Sequence, residues 1–166
     1  MRQLLAAAID QLCEAFERGG YNPTPIIDLG VLIASVDGKV DHLEREMLFD
    51  VFQTLLNTTL TAEVVDHLVT ASLEVIDAAG AESRARLVAQ ILHDCDAGEP
   101  GLRIALAVAF ASQGLTSAER AVVERLADGA GVSRARLAEL IEEIRARVDG
   151  DPISVRQSIV PARHLR

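Results

Sequence analysis

A unit of three parts occurs twice in this chain: an apolar segment, a turn that contains glycine, and a helix with one apolar face. In the first copy, Asp37-Gly38 follows the apolar run of residues 29–36. In the second copy, Gln113-Gly114 follows the apolar run of residues 104–110. Helices that are apolar on all sides are normally buried by other helices. The repeated unit therefore predicts a helical bundle with two central helices.

The composition favours the same fold class. Of the 166 residues 49% are hydrophobic but only 3% are aromatic, so Leu, Val, Ile and Ala must supply the core. Leu and Ala favour helices, whereas the aromatic residues that favour strands are scarce. We expect an all-α fold of about eight helices in a compact bundle, with residues 1–150 forming a single domain.

Several helix boundaries follow from local signals. Gly19-Gly20 is expected to end the first helix, and Thr24 is expected to cap the second, with Pro25 at its first position. The glycine- and proline-containing segment 96–101 is predicted to be a loop, so the buried sixth helix should begin at Leu102. The remaining helices are predicted at about residues 41–56, 61–80, 82–95, 116–129 and 133–148.

The net charge of −9 argues against a nucleic-acid surface, which requires clustered Lys and Arg. The longest apolar run is far shorter than the ~20 residues of a membrane-spanning helix, and residues 1–20 do not resemble a signal peptide. Cys13 and Cys95 lie apart, without the paired spacing of a disulfide framework or zinc site, and are predicted to be reduced and buried. These features predict a cytoplasmic protein without a transmembrane segment.

The C-terminal segment differs from the rest in charge. Residues 151–166 carry Arg156, Arg163 and Arg166 against Asp151, a net +2, which leaves −11 on residues 1–150. They show no helical periodicity after Pro152. We predict an extended or disordered basic tail; an arm that binds its own acidic body or a partner is the alternative.

The two copies of the repeated unit resemble the TerB family, the tellurite-resistance B-type helical domain, which is similar to a domain of a membrane-anchored DnaJ-type co-chaperone. The matching residues are 32–44 in the first copy, and 109–119 with 126–132 in the second. The resemblance spans about residues 25–148. One departure is Gln113, which stands where the second turn of the family carries Asp.

The resemblance implies a non-enzymatic intracellular domain linked to tellurite, metal or stress response. It also implies acidic residues suspected of binding metal, and protein partners at the cytoplasmic membrane face. Because Gln113 replaces an acid, a site built from both turns would have one fewer carboxylate here. The oligomeric state is left open.

The first turn gives the best candidate for a metal site. Residues 37–44 match the second half of a calcium-binding EF-hand loop, with Asp37, Asp41 and Glu44 as oxygen ligands. A complete EF-hand is excluded, because the earlier ligand positions would fall on Ile33 and Ser35. A weaker divalent site for calcium, magnesium or zinc is one hypothesis, with Glu119 of the second copy as an additional ligand.

A purely structural role is the alternative for the same side chains. Asp41 with Glu44, and Thr116 with Glu119, have the spacing of capping boxes, which stabilise helix N-termini without a ligand. The spacing also predicts a positive φ at Gly38. A capping interaction is worth about 1 kcal/mol, enough to explain these residues by itself.

No recognised catalytic motif is present, and we expect a protein that is not an enzyme. His93, Asp94, Cys95 and Asp96 mix metal-ligand types, but without a second pair of zinc ligands we expect a buried Cys95 at a solvated helix end. Asp28, the one acid in an apolar helix, is expected to be stabilised by the helix dipole. The sequence thus favours a TerB-like domain acting through protein contacts, with a divalent-metal sensor or buffer as the alternative.

Overall fold

A computed structural model of the chain describes residues 2–112 and 114–150, and these residues form eight helices with no strand. The all-α prediction is therefore confirmed. The basic tail and Gln113 lie outside the described residues. In chain order the helices are α1 Arg2–Gly19, α2 Thr24–Ala34, α3 His42–Leu55, α4 Ala62–Ala79, α5 Ala81–Asp94, α6 Gly98–Ala109, α7 Ser117–Gly129 and α8 Arg134–Gly150.

The two helices without a polar face, α2 and α6, lie at the centre and pack against each other. Helices α3, α4, α5 and α7 also contact α2, while α1, α3, α5, α7 and α8 contact α6. From Ile26 to Ala34 every residue of α2 is buried, and Ile104 to Ala109 in α6 have no exposed surface. The prediction of two central helices is confirmed, because only such positions bury an all-apolar surface.

The turns after the two central helices also repeat. Gly38 and Gly114 adopt φ values of 89° and 85°, a region that glycine enters without the steric cost of a Cβ atom. A helix with a capping box follows each turn. The internal repeat of buried helix, glycine turn and amphipathic helix is therefore present in the fold.

Two predicted helix starts are wrong. Helix α6 begins at Gly98, within the segment predicted to be a loop. Pro100 is its third residue, where proline is tolerated because the first N–H groups of a helix have no intrahelical partner. At α2 the N-cap is Pro23, and Thr24 is already helical and makes no side-chain cap.

The core is built from aliphatic side chains, and every helix contributes to it. The largest fully buried side chains include Phe16 and Phe52. No helix in the described part of the chain is long and apolar enough to cross a membrane.

Candidate functional site

The two glycine turns meet at one small cavity of about 90 Å³, which we call the turn cavity. The C-terminal ends of α2 and α6 and the N-terminal ends of α3 and α7 surround it. All four side chains predicted as metal ligands lie in its wall. The lining residues are Ile33, Asp37, Asp41, Glu44, Ser112, Thr116 and Glu119.

In the first turn, Asp41 and Glu44 form a reciprocal capping box. The Glu44 backbone N–H donates to Asp41 Oδ1 at 2.8 Å, and the Asp41 backbone N–H donates to Glu44 Oε2 at 2.8 Å. Asp37 Oδ1 accepts from the Lys39 backbone N–H at 3.1 Å, which closes the turn. The predicted capping box of Asp41 and Glu44 is confirmed.

The second turn uses the same geometry with a neutral N-cap. The Glu119 backbone N–H donates to Thr116 Oγ1 at 3.2 Å, and the Thr116 backbone N–H donates to Glu119 Oε2 at 2.8 Å. The Thr116 hydroxyl also donates to Glu119 Oε2 at 2.7 Å. Glu119 therefore accepts two hydrogen bonds at one oxygen, whereas the equivalent oxygen of Glu44 accepts the Asp41 N–H.

Glu44 is the electrostatically unusual group of the turn cavity. Only 5% of its surface is exposed, and burial is the main cause that raises its pKa from 4.5 to about 7. The Asp41 backbone hydrogen bond lowers this pKa, while the charges of Asp41, Glu119 and Asp37 raise it further. Near neutral pH the side chain therefore exchanges a proton, which a divalent cation would have to displace.

The arrangement as it stands is that of two caps. Among residues 2–112 and 114–150, no group of three or more His, Cys, Asp or Glu side chains could hold a metal ion. Ile33, which closes one wall, is 1% exposed and offers only hydrocarbon. Cation binding here would require Glu44 or Glu119 to move away from the backbone amide that it caps.

Ser112 is a cavity residue that the sequence did not single out. It lies three residues after the end of α6, whereas Ser35 directly follows α2, so the two serines hold different positions after the buried helices. Ser35 is the C-cap of α2 and is not part of the cavity wall. The repeat alone could not reveal this difference between the two serines.

The explanation predicted for Asp28 is wrong. Asp28 lies beyond the first turn of α2 and is stabilised by side chains from two other helices. Its carboxylate accepts from Ser72 Oγ of α4 at 2.7 Å and from Arg84 Nε of α5 at 2.9 Å. A buried carboxylate requires such charged and hydrogen-bonding partners, so Asp28 ties α2 to α4 and α5.

A second charged cluster joins α6 to α8, and sequence reasoning missed it. The Arg136 guanidinium donates from Nε to Glu99 Oε1 and from Nη2 to Glu99 Oε2, both at 2.9 Å. These hydrogen bonds are the main cause that lowers the Glu99 pKa. Arg136 also contacts Glu139 and Glu143 of its own helix. The cluster is thus an ion-pair network that joins α6 to α8.

The predicted ending of α5 is confirmed: Cys95 is buried, while His93, Asp94 and Asp96 are exposed. The other thiol, Cys13, is only half-buried, so its predicted full burial is wrong. Burial raises the pKa of both thiols. Neither cysteine therefore has the lowered pKa of a reactive thiolate.

Comparison with known proteins gives no assignment: no family model matches the chain, and neither a curated protein nor a solved structure matches it.

Proposed function

We propose that this chain is a non-enzymatic, TerB-like helical domain that acts through contacts with other proteins in a tellurite, metal or stress response. Its partners would lie in the cytoplasm or at the cytoplasmic face of the membrane. The repeat of buried helix, glycine turn and capping box supports this relationship, because the TerB resemblance rests on those residues.

One observation favours a protein-binding function over a catalytic one. The carboxylates that the sequence singled out hold backbone amides, whereas large apolar side chains remain at the surface of the described residues. Exposed apolar side chains supply surface that a partner can bury on binding. Those with more than a third of their surface exposed are Tyr21, Leu43, Leu56, Val64, Val75 and Leu87.

Affinity capture tests the contact proposal. The tagged chain and an unrelated helical protein of equal net charge are incubated with cytosolic and membrane fractions, and bound proteins are quantified by mass spectrometry. We expect one or a few proteins to be enriched on this chain alone, and to remain bound at 0.3 M salt. Equal capture by the charge-matched protein would contradict the proposal.

Divalent-cation binding is the second candidate, because four carboxylates from both copies of the repeat line the turn cavity. A sensor or buffer built there would bind calcium, magnesium or zinc by releasing the proton of Glu44. Since the cation would bind only the native state, it would also raise the unfolding temperature.

Titration calorimetry with each of the three cations distinguishes this candidate. We expect binding heat for the wild type and a large loss of that heat in Asp37→Asn, which removes one charge but can keep the hydrogen bond to Lys39 N–H. Glu124→Gln, an exposed acid of α7, is the matched control and should bind as the wild type does. Absence of heat, or equal heat in Asp37→Asn, would exclude a site at this turn.

A further inference from the structure

Helix α4 carries an apolar stripe that stays partly exposed in the described part of the chain. Val64, Leu68, Ala71, Val75 and Ala78 follow one another at intervals of four, three, four and three residues. At 3.6 residues per turn these positions fall within about 80° of the helix circumference. We call these five residues the α4 stripe. Their spacing is the one by which helices pack along a common seam.

The stripe is separate from the face by which α4 joins the bundle. That inner face consists of Val65, Val69, Ser72 and Ile76, all buried. In the stripe, by contrast, Val64 is 44% and Val75 is 42% exposed, Ala71 and Ala78 are exposed, and Leu68 is half-buried. The stripe thus lies beside the buried face, within reach of a second helix.

An ion pair shows which side of α4 faces helix α3. Asp66 forms an ion pair with Arg45 of α3, and it lies on the side of α4 opposite the stripe. Helix α3 therefore does not cover the stripe.

Charge identifies the kind of occupant. Helix α4 contains no Lys or Arg, and Glu63 and Glu74 are exposed along the edge of the stripe that faces away from the core. Its one histidine, His67, has its ring Nδ1 2.7 Å from the Glu63 carbonyl oxygen. A second copy of α4 would bring like charges together, and an anionic membrane would be repelled. A cationic partner would instead be attracted.

We propose that the α4 stripe is the docking surface for an amphipathic helix of a partner protein, with apolar residues at four-three spacing and Lys or Arg beside them. This inference rests on the proposed contact function and specifies its surface. Helices commonly bind apolar surfaces through anchors at such intervals. The acids along the stripe would fix the orientation and raise the association rate.

A synthetic helix tests the docking surface directly. The probe is an 18-residue peptide with Leu at four-three spacing and Arg beside the Leu residues, and its binding is followed by fluorescence anisotropy at 0.15 M salt. Val64→Gln with Val75→Gln should weaken binding at least about tenfold, because two apolar anchors are lost. Leu43→Gln, at a similarly exposed apolar residue of α3, should change it less than about twofold. Unchanged melting curves would show that the variants fold.

The charge requirement has its own variants. Glu63→Gln with Glu74→Gln should weaken binding about fivefold, whereas Glu124→Gln on α7 should have little effect. A probe with Glu in place of Arg should bind at least about tenfold more weakly. Equal binding of both probes, or unchanged binding by the double valine variant, would overturn the inference.

Two other occupants give distinct results. If the wild type forms a dimer that the double valine variant loses, the stripe belongs to a second copy of the chain. If a peptide of residues 151–166 binds the stripe more tightly than the probe does, the occupant is the tail of this chain. Either result overturns the proposal. If the double valine variant captures the same partners as the wild type, the proposed docking surface is wrong but the contact function is not. If the wild type captures no partner, the contact function itself is contradicted.

Discussion

The two turns of the repeat have the same backbone geometry but different electrostatics. Both contain a glycine at positive φ and a reciprocal capping box. In the first turn the N-cap is the charged Asp41, with Asp37 close by; in the second it is Thr116, whose hydroxyl donates to Glu119. The comparison shows that two caps with the same backbone geometry can place their glutamates in different electrostatic surroundings.

Removing the glutamate of each turn should produce the largest difference in stability between the two turns. At pH 8, Glu119→Ala is expected to lower the free energy of unfolding by about 2 kcal/mol, because the Thr116 N–H and hydroxyl both lose their partner. Glu44→Ala should cost about 1 kcal/mol or less, because the loss of a cap is offset by the removal of a charge close to Asp41. Urea unfolding followed by circular dichroism measures both, with Glu124→Ala as the exposed control. Equal losses would mean that the two caps do not differ energetically.

Substituting glutamine at the same positions should separate the contribution of the capping hydrogen bond to stability from the contribution of the charge. The native state retains the Glu44 proton up to about pH 7, whereas the unfolded chain loses it near 4.5, so this group makes the native state less stable as pH rises through that window. Glu44→Gln keeps the cap, and at pH 8 it should raise the free energy of unfolding by about 1 kcal/mol, with a smaller gain at pH 5. Glu119→Gln should show no such gain. The proposed origin of the difference would be wrong if the two variants had the same pH profile.

Exchanging the N-caps should give the smallest effect and the most direct comparison. Asp41→Thr removes a negative charge beside Glu44, so the pKa of Glu44 should fall and the free energy of unfolding at pH 8 should rise by on the order of 0.5 kcal/mol. Thr116→Asp, the reverse exchange, places a second negative charge beside Glu119 and should lower the free energy of unfolding by a similar amount. Carboxyl chemical shifts followed by NMR across pH 4 to 9 measure the change at Glu44, and urea unfolding measures both free energies. A Glu44 pKa unaffected by Asp41→Thr would show that the charge of Asp41 does not contribute to its shift.

Much of the fold could be predicted because its signals are local. The all-round apolar sequences of α2 and α6 placed both helices at the centre, and the four-residue pattern from Asp41 to Glu44 identified a capping box. Predictions were wrong where local rules allow two outcomes. Pro100 fits a loop or the first turn of a helix, and the close packing of Gly98 against Ala130 and Val132, after α7, favours the helix.

The candidate site was predictable residue by residue but not as an assembly. Asp37, Asp41, Glu44 and Glu119 were all identified in advance, yet their shared cavity depends on the packing of α2 against α6. The partners of Asp28 are 44 and 56 residues away along the chain, beyond any local pattern. The α4 stripe likewise required the bundle to show which apolar face stays exposed.

The sequence by itself determined that the chain is helical, the two capping boxes and the acidic side chains at the turns, because these depend on residues three or four positions apart. The tertiary structure decided which carboxylates share a cavity, which of them takes up a proton near neutral pH, and which apolar face remains at the surface. Each of these depends on burial and on charges brought together from distant segments. Burial and charge proximity are properties of the packed chain, and they change the pKa of Glu44 while the local hydrogen bonds of the two turns stay alike.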